Sequence, residues 1–180
     1  MGEPIWGELQ SFNFEEMSSE LKILSIAEGT SVDGPGLRTS IYFAGCRHHC
    51  EGCHNPQSWD INNGKPATIE ELLAVIRYNE FPVTFTGGDP FFQVEGVTEL
   101  AHQIKQQFDY DIWCYTGYLW EELLEHEEFM PLLQQIDVIV DGRFVLAQRD
   151  ISLLFRGSKN QRIIDVQQSL KTKTIVPAKW

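Results

Sequence analysis

The sequence has no apolar run near the roughly 20 residues that a membrane-spanning helix requires. Its first 20 residues also lack a basic start followed by a hydrophobic stretch. Neither a membrane segment nor a secretory leader is expected, and the chain reads as cytoplasmic. Positive charge is sparse: 14 Lys and Arg stand against 26 Asp and Glu, a formal net charge of -12. A nonspecific grip on nucleic acid or on anionic lipid would work against that field. Cysteine is scarce too, four in the whole chain, with three of them between Cys46 and Cys53. Such crowding suits one bound inorganic centre in a reducing compartment better than disulfides stapling distant segments.

What is present is enough for one core. At 180 residues, 42% hydrophobic and 12% aromatic, a second comfortable domain does not fit. Residues 1–20 carry isolated Trp6, Phe12 and Phe14 with no period and read as an N-terminal arm, leaving 21–180 as the main domain. Leu21 to Ala27 and Thr39 to Ala44 have the β-branched and apolar character of strands, separated by a glycine-rich loop. Thr68 with Glu71 is a capping box opening a helix to about Asn79. Val83 to Thr86, Asp111 to Tyr115, Val138 to Val140 and Ile163 to Val166 are further short strands. Val97, Leu100, Ala101, Ile104 and Phe108 recur at helical spacing, and another helix carries Leu123 and Leu124. Strands alternating with helices predict an α/β fold with a mostly parallel sheet. The chain is short for an eight-stranded barrel, which takes about 250 residues, so the expectation is a partial, open β/α barrel of about six strands.

Ligands in such sheets collect at the carboxyl ends of the strands. Cys46 to Cys53, Gly87 to Asp89, Tyr115 to Gly117 and Asp141 to Arg143 all fall just past predicted strand ends. Cys46, Cys50 and Cys53 have the spacing C-x3-C-x2-C. One loop can bring three thiolates to three corners of an iron-sulfur cube, leaving the fourth iron open to substrate. Zinc is the competing reading, with His48, His49 or His54 completing a Cys3His set, and a third reading makes the cysteines small buried hydrophobes. Thr86-Gly87-Gly88-Asp89-Pro90 adds two residues without side chains, where backbone approaches a ligand closely, and a carboxylate suited to an ammonium group. On its own that stretch reads first as a tight turn with a capping Asp.

Together, the cysteine motif after an early strand and G-G-D-P after a later one resemble the radical S-adenosylmethionine superfamily. More narrowly, five stretches are similar to the glycyl-radical-enzyme activases that serve anaerobic ribonucleoside-triphosphate reductase. They are Asp33 to Arg38, Cys46 to Pro56, Trp113 to Tyr118, Val140 to Phe144 and Arg156 to Arg162. The resemblance spans about Ile23 to Val166. It implies that Cys46, Cys50 and Cys53 hold a 4Fe-4S cluster whose open iron is chelated by S-adenosylmethionine. One-electron reduction of the sulfonium would then yield a 5'-deoxyadenosyl radical that removes hydrogen from a glycine of the partner reductase. A flavodoxin-like or ferredoxin-like protein is implied as electron donor, making the chain an oxidoreductase.

Within that picture, Gly87, Gly88 and Asp89 orient the methionine ammonium. Gly52 and His54, flanking Cys53, line the adenine side. Asp141 and Arg143 hold the partner's glycine loop or the cofactor carboxylate, or else form a surface ion pair at a strand end. Two departures from the wider superfamily stand out. Gly52 replaces the usual aromatic residue before the third cysteine, so another group must meet adenine, and Asp89 replaces Glu. Cys114, within a predicted strand, reads as a packed core thiol. The alternatives are a radical enzyme acting on another glycyl-radical enzyme or on a small molecule, and a zinc-binding adaptor.

Overall fold

The computed structural model describes residues 20–180; apart from Glu20, the expected arm over 1–20 lies outside the described residues. Seven strands form one sheet: β1 (Leu21–Thr30), β2 (Arg38–Phe43), β3 (Lys65–Ala67), β4 (Val83–Gly87), β5 (Ile112–Tyr115), β6 (Val138–Asp141) and β7 (Arg162–Asp165), in the order β3-β1-β2-β4-β5-β6-β7. The pairings β2/β4, β4/β5 and β5/β6 are parallel. The flanks, β3/β1/β2 on one side and β6/β7 on the other, are antiparallel. The open α/β sheet expected from the sequence is present, parallel through its middle. The strand beyond the expected six is β3, an edge strand whose Pro66 hides it from a propensity reading.

The parallel strands are joined through α1 (Ile69–Asn79), α2 (Val94–Gln107), and α3 (Trp120–Leu124) with α4 (Met130–Leu133); α5 (Val166–Thr172) follows β7. The Thr68–Glu71 capping box forms: the Glu71 amide donates to Thr68 Oγ1 at 3.2 Å and the Thr68 amide to Glu71 Oε2 at 2.8 Å. Leu72, Ile76, Leu100 and Ile104 then bury the helices' apolar stripes.

Alternation along the strands divides the sheet into two faces. Ile41, Phe85, Cys114, Ile139 and Ile164 are consecutive register partners across five strands, and all are fully buried in the main core. Cys114 belongs to that row. The intervening residues Tyr42, Thr86, Trp113, Tyr115 and Val140 occupy the opposite face, where Trp113 packs edge-on against Phe155 and Trp180. Tyr42, Thr86 and Tyr115 stand at the carboxyl ends of their strands, where the loops carrying chemistry emerge. No helix among the described residues is long and apolar enough to cross a membrane.

Candidate iron-sulfur site

The chain leaves β2 through Ala44 and Gly45 into the cysteine loop. Gly45 has φ +93° and donates its amide to Ser58 O at 2.7 Å, while the Cys46 amide donates to Trp59 O at 3.2 Å. Ser58 Oγ closes the loop's far end onto Asn55 O at 2.6 Å. His49, at φ +47°, stacks its ring on Trp59 with centroids 4.7 Å apart. The loop is therefore pinned at several points by contacts that do not use the thiols.

Cys46, Cys50 and Cys53 are free, half-buried thiols lining one cleft of about 480 Å³. Burial pushes the Cys46 thiol up to about 11, against the lowering pull of the His48 and His49 amides. Burial also raises Cys50, opposed by the Phe144 amide and the positive charge of Arg143. The Cys53 sulfur accepts from the Asn55 amide at 3.4 Å. Among the described residues no three His, Cys, Asp or Glu side chains converge as ligands of a single ion do. Three thiols on one cleft lining suit a group that takes one thiolate per iron.

Gly87 and Gly88 line the same cleft. Their lack of side chains has a packing cause. A Cβ on Gly87, at φ +101°, would lie 2.5 Å from Phe43 N, and one on Gly88 would fall onto Gly45 O. The Gly88 amide donates to Phe43 O and the Asp89 amide to Gly45 O, both at 2.8 Å. With those amides engaged, the turn's remaining polar backbone groups include carbonyl oxygens, which suit a ligand's ammonium.

His54 also lines the cleft, its ring 5.3 Å from that of Phe144. Gly52 is exposed at φ +72°, and a Cβ there would meet Leu146 Cδ1 at 2.9 Å. It lies outside the cleft lining.

Asp89 is 2% exposed and turned away, toward a separate cavity of about 180 Å³. Asp141 is wholly buried at the end of β6 beneath Arg162, whose Nη2 lies 2.5 Å from Oδ2, and it accepts from the Trp120 amide at 2.7 Å. The ion pair anticipated at this strand end thus forms with Arg162, not Arg143. Arg143 is exposed and outside the cleft lining, its backbone O accepting from Asn160 Nδ2 at 2.8 Å.

Several lining residues fall in the stretches that carry the family resemblance but take no individual role from it. Phe144 supplies an aromatic ring beside His54, where Gly52 offers none. Asp33 is the only Asp or Glu among the described lining residues, and its Oδ2 accepts from Tyr42 Oη at 2.6 Å. Arg156 is the only Lys or Arg there. Its Nη1 donates to Gln161 O at 2.9 Å, while its buried Nε has no partner among the described residues. Arg156 thus puts a positive charge on the lining that the three thiols share, which suits an anionic ligand group. The residues present therefore fit both an iron-sulfur cluster and a small carboxylate-bearing ligand.

The 4Fe-4S single cluster domain model matches residues 32–164, which contain all three thiols, Gly87–Asp89 and Arg156. An α/β domain built around one four-iron cluster is the class that this fold and site define. The anaerobic ribonucleoside-triphosphate reductase-activating protein of Vibrio cholerae serotype O1 is 37% identical over 141 residues, covering 73% of this chain and 90% of that protein. Its namesake from Escherichia coli K12 is 37% identical over 139 residues, covering 72% and 89%. The one from Enterobacteria phage T4 is 36% identical over 139 residues, covering 73% and 86%. The chain belongs to the family of anaerobic ribonucleoside-triphosphate reductase-activating proteins. Among solved structures, QueE from Escherichia coli aligns over 54% of this chain and 52% of that one, with TM-score 0.46 and 19% identity.

Proposed function

We propose that this chain activates an anaerobic ribonucleoside-triphosphate reductase as a radical S-adenosylmethionine oxidoreductase. It would cleave S-adenosylmethionine reductively and remove hydrogen from a glycine of the partner. The observation that carries the reading is that Cys46, Cys50, Cys53 and Arg156 line one cleft. The relatives' names favour a protein substrate over a small molecule.

Cys46, Cys50 and Cys53 would hold the 4Fe-4S cluster, which when bound would supply the one electron that the cleavage needs. The chain's own contribution is orientation. Arg156 meets the ligand carboxylate with its free edge, and the Gly87–Gly88 backbone meets the ammonium with carbonyl oxygen. His54 and Phe144 provide the ring surface for adenine. Asp141 and Arg143 act at one remove. Asp141 anchors α3 and the start of the loop that carries Phe144, and Arg143 places positive charge near Cys50. The partner's glycine segment would approach along this cleft, whose lining includes the exposed Val32. A flavodoxin-like or ferredoxin-like protein in the cytoplasm supplies the electron.

Anaerobic reconstitution of the chain tests the reading. About four irons and four sulfides per chain are expected, with 5'-deoxyadenosine formed on reduction. Mixing with the reductase should give a glycyl-radical doublet in electron paramagnetic resonance. A colourless protein holding stoichiometric zinc would refute it.

A further inference from the structure

Asp89 has four internal donors. His48 Nε2 lies 2.7 Å from Oδ2, the Gly117 amide donates to Oδ2 at 3.0 Å, and the Phe91 amide donates to Oδ1 at 3.0 Å. Thr116 Oγ1 is shared between the two oxygens at 2.9 and 3.1 Å. The Thr116 hydroxyl oxygen accepts from the Tyr118 amide at 3.2 Å, which leaves its proton for Asp89. A carboxylate offers about four lone-pair sites, and four protein hydrogens fill them. No site remains for a ligand's ammonium.

His48 is caged in turn. Its side chain is 5% exposed, Tyr118 packs edge-on against its ring with centroids 4.6 Å apart, and a Cβ on Gly117 would fall into the ring. Because a carboxylate only accepts, Nε2 carries the hydrogen. Two residues earlier on the same loop is Cys46, which lines the thiol cleft together with His48. Fixing the His48 ring therefore fixes the loop between Cys46 and Cys50, and the residues that hold ligands in place tune a cluster.

We propose that Asp89 is a positioning residue, not a ligand for the ammonium: through His48 it clamps the cysteine loop to the loops after β4 and β5. The proposal rests on the cluster-enzyme reading above and assigns the third residue of Gly87-Gly88-Asp89 a role inside the protein. Cation recognition is left to the backbone of Gly87 and Gly88.

The test uses the anaerobically reconstituted full chain and the variants Asp89→Asn, His48→Leu, their double and His48→Gln. Equilibrium dialysis measures S-adenosylmethionine affinity with the cluster oxidised, and electron paramagnetic resonance reads the reduced cluster without ligand. Asp89→Asn should bind the ligand within about threefold of wild type, since no charged hydrogen bond to it is lost. Asp89→Asn, His48→Leu and the double variant should share one altered cluster signal. His48→Gln, which keeps a donor near the position of Nε2, should return the signal toward wild type. Asp89→Asn weakening the ligand by about tenfold or more with a wild-type cluster signal would place the carboxylate on the ammonium and overturn the proposal. A wild-type signal in His48→Leu would overturn it too. If the variants take up no cluster, melting temperatures of the apo chains decide. A double variant no less stable than the weaker single variant supports the clamp, and additive losses refute it. That cycle needs no cluster, so it separates failure of the clamp from failure of the cluster-enzyme reading.

Discussion

Arg162 on β7 closes directly over Asp141 on β6, its register partner, and the carboxylate beneath it is wholly buried. The pairing holds Glu121 below the usual carboxylate range through Arg162's other edge, and it raises Arg162 itself, with Asp141 the larger cause. Arg162→Leu strands a charge whose remaining donors are the backbone amides of Trp120 and Arg162. Because the Arg162 side chain is 35% exposed, the loss should fall at the low end for a broken buried pair, about 3 kcal/mol. Urea denaturation of the apo protein measures it, and adding Asp141→Asn should recover part of the loss. Arg143→Ala, at an exposed position, should leave the midpoint in place.

That pair also shows where sequence reading stops. The end of β6 is legible as an apolar run ending in Asp141-Gly142, but the partner of Asp141 depends on an antiparallel register with a strand 21 residues away. Neighbouring Arg143 was the natural candidate on sequence alone. The strands β2, β4, β5 and β6, the capped α1 and the cysteine loop are local patterns, and local patterns survive folding. Asp89's orientation is not local: it is set by Thr116 and Gly117, 27 and 28 residues on. Arg156 opens a stretch that resembles the family, but that it shares a cleft with the thiols and lacks a carboxylate partner among the described residues is a property of the fold.

The row Ile41-Phe85-Cys114-Ile139-Ile164 predicts a division among the cysteines. Cys114 is fully buried on the helix-covered face, and burial holds its thiol well above the ordinary range. Cys114→Ala should cost about 1 kcal/mol as a small core deletion and leave iron content unchanged. Cys46→Ala, Cys50→Ala and Cys53→Ala should each lose the cluster while the apo fold persists, because the loop is pinned through Gly45, Ser58 and Trp59. Iron analysis alongside circular dichroism separates the two outcomes, and iron loss in the Cys114 variant would break the assignment.

Alkaline pH should destabilise the apo chain. Burial raises Cys46 from 9.0 to about 11, and burial together with the Asp33 carboxylate raises Tyr42 and Tyr115 above their ordinary 10.0. These groups stay protonated in the fold at a pH where the unfolded chain ionises. The unfolded state then binds fewer protons, and stability falls as pH rises. The melting temperature of the apo protein should decline from about pH 9 onward, steepening through 10 as the tyrosines join. With the cluster bound, Cys46 is already a thiolate, so the decline between about pH 9 and 10 should shrink to the share of the buried, non-ligand Cys114. Melting curves of both forms between pH 7 and 11 check the direction and the difference.

Arg156 offers the sharpest test of how the cleft reads its ligand. One guanidinium nitrogen is committed to Gln161 O, while buried Nε is unpartnered among the described residues. A carboxylate reaching this guanidinium would gain a charge-assisted hydrogen bond in a partly desolvated cleft, where such a bond counts most. Arg156→Gln removes the charge and should weaken S-adenosylmethionine by about tenfold or more, the equivalent of a charged hydrogen bond. Arg156→Lys should recover only part, because an ammonium cannot reproduce the fork. The same substitutions should barely change the affinity of an analogue lacking the carboxylate, so the ratio of the two affinities isolates the contact from any loosening of the loop. Equal losses for both ligands would mean that Arg156 shapes the cleft through Gln161 instead of touching what binds there.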